Sequence, residues 1–222
     1  MTAPKRMCAV SGCTKMTAGY SRYCTTHRAT VRKQGHPEQT AIRRKELASF
    51  EEIVAKYLRN NPDAGAWKVL DQMWRDRVRE ARRQTEATQS SPSSQTRLAA
   101  AREIVKVDRD CHWQEIMAVV AAAWMLQEQQ PLRVKSDDAM RVQVARLVRQ
   151  IVPKGGHRYL DRHGNETAKA PYIPVRQSEI FGQWLIEAFA ALGMRLLDLE
   201  KAEQERRILM RQELSSGLAS LR

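Results

Sequence analysis

Little in this 222-residue chain is suited to stapling it covalently or carrying it across a membrane. Its four cysteines are too few for the disulfide framework of a small secreted scaffold. No apolar run approaches the ~18 residues a bilayer crossing needs; the best, Ile116 to Leu126, is far shorter. The first six residues, Met1 to Arg6, lack the apolar core of a secretory signal. The expectation is therefore a soluble, reduced, cytoplasmic protein, nucleoid-associated if bacterial. Aromatics are sparse at 6%, yet a hydrophobic content of 42% excludes a wholly disordered chain. Acid is scarce too: 38 Lys+Arg against 25 Asp+Glu leave a net charge of +13, which points to a polyanionic partner and not to a membrane.

The imbalance is concentrated. Residues 1–45 hold ten Lys and Arg against the single acid Glu38, so about a fifth of the chain carries +9 of the +13. A featureless arm of this kind reads as readily as a solubilising tail, but this one contains Cys8, Cys13, Cys24 and His27, spaced C-x4-C-x10-C-x2-H. Three thiolates and an imidazole are donors that tetrahedral zinc accepts, and four protein ligands leave no open position for catalysis, so one structural zinc is expected. Gly12 suits the tight turn of a metal knuckle. Cys24 and His27 share a face if Cys24 opens a helix, and residues 25–34 read as that helix, stopped by Gly35 and Pro37. A hairpin turning at Ala18-Gly19 would complete the order of a treble clef. The segment offers only Val10, Met16, Tyr20, Tyr23 and Val31 as core, and domains this small usually need a metal to fold.

Cys8-x4-Cys13, Gly19-Tyr20, Tyr23-Cys24-x2-His27-Arg28 and Arg32-Lys33-x-Gly35-His36-Pro37 together resemble the small zinc motif of phage and mobile-element proteins, related to HNH-type treble clefs. The resemblance covers residues 7–37 and implies zinc binding and DNA contact. His36 stands where that motif usually has Asp.

HNH cleavage needs a general-base His, an Asn and a metal-binding His in one unit. The nearest set, His157, His163 and Asn165, has no later histidine to complete it, and His27 is a zinc ligand in this reading. Gly164-Asn165 reads instead as the turn of a β-hairpin around 157–174. No phosphate loop, G-x-S-x-G or Cys/His nucleophile pair occurs, and Cys111 reads as a small core residue. No enzymatic activity is expected.

The rest is helical. Ser49 with Glu52 forms a capping box ahead of the stripe Phe50, Ile53, Val54, Tyr57 and Leu58. Asn61 and Pro62 open a second helix with Trp67, Leu70, Trp74 and Val78, whose later arginines either extend a nucleic-acid face or lie solvated. The Ser-rich stretch 88–96 reads as a linker. Helices follow around 96–109, 112–129 and 136–151, the second apolar enough to centre a core and the third capped by Ser136. With the hairpin behind them they have the order of a winged helix or of a plain bundle. A long helix from Ser178 ends the chain and invites self-association.

The expected fold class is thus mainly α: a treble-clef-like zinc module (1–45), a helical hairpin (46–87), a linker (88–96) and a helical domain with one β-hairpin (97–222). The expected function is a zinc-containing DNA-binding accessory or regulatory protein of a phage or mobile element. Phosphate contacts are expected from Arg22, Arg28, Arg32, Lys33 and, on a flexible tether, Arg43, Arg44 and Lys45, with Arg141, Arg146, Arg149, Arg158 and Arg162 adding to them. The alternatives are a protein-docking subunit of a nucleoprotein complex and, disfavoured by the lack of an aromatic stacking platform, an RNA binder.

Overall fold

The computed structural model describes residues 6–17, 19–87, 92–152, 158–160, 166–168 and 173–219, with backbone only for 92–94, 158–160, 166–168 and 217–219. Seven α-helices follow in order: α1 Thr25–Gln34, α2 Ala48–Asn60, α3 Gly65–Glu86, α4 Pro92–Asp110, α5 Trp113–Gln129, α6 Asp137–Ile151 and α7 Val175–Ala219. A 3-10 turn, Arg44–Glu46, leads into α2.

The body is built round α5. This helix is apolar on every side and accordingly buries residues on every side, from Ile116 and Met117 through Ala121, Ala122 and Ala123 to Leu126. His112 caps it by accepting the Gln114 N–H. α6 starts as its sequence says, with Ser136 Oγ accepting the Ala139 N–H at 3.1 Å. Its stripe of Met140, Val144, Leu147 and Val148 is buried. α7 packs along α6, α5 and α4, and α3 lies on α4. Trp74 of α3 stacks on Phe189 of α7 and donates its indole N–H to Asp108 of α4. Val175–Ser216 is long and apolar enough to cross a membrane, but 61% of its most apolar window is buried inside this fold.

Several expected boundaries move. The chain enters α2 through the 3-10 turn, where Glu46 accepts the Arg43 N–H at 2.7 Å, so Ser49 falls inside the helix and caps nothing. Asn61 ends α2, its amide donating to the Tyr57 carbonyl, and α3 waits until Gly65. Pro92, expected in the linker, begins α4, a position where its missing N–H costs no bond; residues 88–91 lie outside the described ones. One apolar cluster joins α2 to α7, so the composition break near residue 92 does not divide the packing.

The expectation of a β-hairpin as an element of the body is corrected. The architecture of the described residues is helical. Among the described residues within 157–174, extended pairing joins β1 Arg158–Leu160 to β2 Glu166–Ala168, antiparallel, three residues each. A two-stranded pair that short is marginal by itself. The Gly164-Asn165 turn, His157 and His163 lie outside the described residues.

Close helix crossing sets one strict requirement. A Cβ on Gly182 of α7 would sit 1.9 Å from the Arg141 carbonyl oxygen of α6, a backbone atom that cannot swing aside. Gly182→Ala should lower unfolding stability by about 3 kcal/mol or prevent folding, at or above the usual overpacking range. Gly65→Ala, where nothing lies within 4 Å, should be neutral or mildly stabilising. Urea unfolding of both variants checks this.

Candidate metal centre and its basic surface

Cys8, Cys13, Cys24 and His27 lie together, their ligand atoms all within 4.8 Å of one another, and could hold one metal ion. The local backbone explains how. A tight turn returns the Cys13 N–H to the Val10 carbonyl (3.1 Å), while Cys8 N–H bonds back to Lys15 (3.0 Å), so both thiols of the first pair leave one knuckle. Cys24 is the N-cap of α1, extended at φ −65°, ψ 169°, and its carbonyl accepts from Arg28. That puts Cys24 and His27 on the same first turn. His27 presents Nδ1, 3.3 Å from Cys8 Sγ and 3.5 Å from Cys24 Sγ. A tetrahedral ion with ordinary zinc–sulfur and zinc–nitrogen bonds would separate such atoms by about 3.6 Å. Cys8 and Cys24 are buried; Cys13 and His27 are half-buried.

The thiols do not titrate alike. Burial alone would raise Cys8. Hydrogen bonds from the Cys24 and Val10 backbone, with those from His27 and Cys13, outweigh it and bring the group to about 6. At Cys13 the Lys15 backbone N–H favours the thiolate, but burial and the neighbouring Cys8 and Cys24 raise it above the ordinary thiol value. Hydrogen bonding thus favours the thiolate at Cys8, while burial and neighbouring thiols oppose it at Cys13.

The turn of the hairpin expected at Ala18-Gly19 falls partly outside the described residues, at Ala18. Among those described, the module has one antiparallel bridge, Met7 to Met16, and no ladder. The bridge closes the knuckle on itself, tied by Thr17 N–H to the Arg6 carbonyl (2.7 Å), while Ala9 N–H reaches Arg22 (2.9 Å). At His36, where the related motif has Asp, the ring Nδ1 accepts the Glu38 N–H (3.3 Å), a bond that an Asp side chain can also accept at a turn.

The tether is pinned, not flexible. α1 ends at Gly35, left-handed at φ +84°, where a Cβ would come within 2.8 Å of the Asp138 carbonyl at the start of α6. Gln143, buried on α6, accepts Ile42 N–H (2.9 Å) and donates to Gln34 Oε1 (2.9 Å). Gln39, also buried, donates to the Thr40 and Arg133 carbonyls and accepts Lys135 N–H. Arg133 reaches Glu46 and the Thr40 and Ala41 carbonyls. Composition hides this clamp, though Gln143 signals it as a polar residue on the Met140–Val144–Leu147 stripe.

The expected nucleic-acid residues divide. Arg22, Arg28, Arg32, Lys33, Arg43 and Lys45 are exposed on the module and tether. Arg44 forks onto Glu51 at 3.0 and 3.1 Å. On α6 the expected outward face is corrected at two of its three arginines: Arg146 bonds to Gln34 of α1, and Arg149 pairs with Glu103 of α4 with only 12% of its side chain exposed. Arg141 pairs with Asp138 on the same helix, with 35% of its side chain exposed. The side chains of Arg158 and Arg162 lie outside the described residues. On α3, Arg75, Arg79, Arg82 and Arg83 are paired with Asp71, Asp76, Asp108 and Glu80. Cys111 is half-buried beside the core, and burial pushes its thiol up.

Glu46 gives the clamp a pH signature. The Arg133 hydrogen bonds hold its carboxyl below the usual range, against partial burial, with help from Arg43 N–H. A lowered carboxyl adds stability above its unfolded pKa, lost as pH falls through the folded value. Glu46→Gln should therefore cost about 1–2 kcal/mol at pH 7 and markedly less at pH 3, measured by urea unfolding at both.

Residues 1–48 match the family model of a domain of unknown function (DUF8602). That span takes in the metal cluster, α1, Gln39 and Glu46 together. No curated protein and no solved structure matches the chain.

Proposed function

We propose that the chain is a zinc-containing, non-catalytic DNA-binding accessory or regulatory protein whose metal-held N-terminal module supplies the phosphate contacts. Three thiol donors and one imidazole favour zinc among the common ions, and four protein ligands suit a structural ion. The observation that carries the reading is the placement of Arg28 and Arg32. They lie one helical turn apart on α1, exposed, beside the ligand His27, on a helix without an acidic residue. Lys33, Arg43 and Lys45 enlarge that surface. A link to phages or mobile elements rests on the motif resemblance alone.

Freshly prepared, reduced protein should contain about one zinc per chain. Chelation should unfold the module and spare most helical signal, since the body has a separate apolar core. Each phosphate neutralised adds roughly 0.9 to the slope of log affinity against log salt on duplex DNA. Arg28→Ala with Arg32→Ala should flatten that slope by about two at unchanged zinc content. A double variant with the wild-type slope would hand the lead to protein docking. One observation favours that second reading: beyond the Lys56–Glu203 ion pair, α7 exposes Ile208, Leu209, Met210 and Leu214. Light scattering across a concentration series tests whether that end of α7 pairs two copies.

A further inference from the structure

Beside the metal cluster, on the side formed by the knuckle flank and the turn before Cys24, is a cleft of about 200 Å³. Arg6, Met7, Ala9, Thr17, Tyr20 and Arg22 are among the residues that line it. We propose that this cleft takes an unpaired nucleotide of a single strand, with the base stacked on Tyr20 and the phosphate held by Arg6 and Arg22. The proposal rests on the nucleic-acid reading of the same module and specifies which form of nucleic acid this part of it recognises.

Three observations converge on that ligand. Tyr20 is 87% exposed and Met7 58%, so a full aromatic face and a polarizable thioether stand in water beside one another. Large apolar groups are ordinarily exposed singly, and here two border one cleft. The charge is of one sign: two arginines line the cleft and no acid does. Arg22 is steadied from behind by Tyr23, with its guanidinium carbon 5.6 Å from the ring centre and Nε donating to the Tyr23 hydroxyl at 3.4 Å. The lining residues are also tied to each other before any ligand arrives, through Arg6 N–H to Thr17 Oγ1, Thr17 N–H to the Arg6 carbonyl, and Ala9 N–H to the Arg22 carbonyl.

Flat apolar surface beside fixed positive charge is the chemistry that binds a base and its phosphate on a single strand. Duplex DNA cannot use it in the same way, because paired bases offer edges in the grooves and keep their faces stacked. The cleft is smaller than the ~300 Å³ at which pockets for drug-sized molecules begin, which suits one ring system. Duplex phosphates would meet the exposed cations of α1, and an unpaired base at an end, fork or junction would meet Tyr20.

The test uses the full-length, zinc-loaded protein and fluorescence anisotropy at one fixed salt concentration. The probes are labelled dT12 and a labelled 12-base-pair duplex. Tyr20→Ala should weaken dT12 binding about tenfold, within the range for loss of one stacking partner, and change duplex binding less than twofold. Tyr20→Phe should bind dT12 like the wild type, because the ring and not the hydroxyl makes the contact. As Tyr20 is exposed, zinc content and circular dichroism should be unaltered in both. The proposal is overturned if the wild type does not bind dT12, if Tyr20→Ala binds it normally, or if it loses dT12 and duplex equally. Tyr20-dependent dT12 binding without duplex binding would retain this inference and remove the duplex reading. Substituting rU12 for dT12 tells whether DNA or RNA supplies the nucleotide, the base contact being common to both.

Discussion

A segment of about thirty residues with almost nothing to bury depends on four ligand atoms brought within 4.8 Å of one another. Its own apolar cluster is Cys8, Val10 and Cys24, with Cys13 and Tyr23 packed against it, and it is distinct from the large core of the body. Ordering each backbone residue costs on the order of 1–2 kcal/mol, far more than so few contacts return. An ion held by Cys8, Cys13, Cys24 and His27 would supply the difference by joining the knuckle to the first turn of α1. Three of the five buried or half-buried residues in that small cluster, Cys8, Cys13 and Cys24, belong to the group that could hold a metal ion. The core of the module and its metal site are nearly the same atoms.

The clamp then turns a local fold into a located surface. Gly35 lets the end of α1 come against the start of α6, and Gln34, Gln39, Gln143, Arg133 and Glu46 fasten the following strand of chain to the body. Buried amides of this kind are costly unless each donor and acceptor is met, and Gln39 and Gln143 each both donate and accept. The cations of α1 are consequently held in a fixed relation to a helical body that uses many of its own arginines internally. Arg44, Arg133, Arg141, Arg146 and Arg149 are engaged by neighbouring groups of the chain, so net charge alone overstates how widely the basic surface extends.

Much of this was legible in the sequence. The C-x4-C-x10-C-x2-H spacing located the metal cluster, α1 spans residues 25–34 as read, and the apolar runs located α5, α6 and α7. These features are local: a ligand pair on one turn, or a stripe at helical period, depends on neighbours within a few residues. What failed depended on contacts made outside the helix being read. Ser49 and Asn61 carry good capping chemistry, yet the 3-10 turn fixed by Glu46 and Arg133 shifts the entry to α2, and the Trp67 indole takes the Asn61 carbonyl. The arginines of α6 looked solvent-facing because charge usually is, whereas Glu103 and Gln34 stand opposite Arg149 and Arg146. The hairpin read from Gly164-Asn165 had turn residues, but the described pairing around them is only three residues a side, too short to be stable by itself.

The proposed binding of one zinc ion by Cys8, Cys13, Cys24 and His27 is tested most directly by X-ray absorption at the zinc edge of the purified, reduced protein. Three sulfurs at about 2.3 Å and one nitrogen at about 2.0–2.1 Å are required. A shell of oxygen and nitrogen alone, or one that keeps three sulfurs after Cys24→Ala, would contradict it.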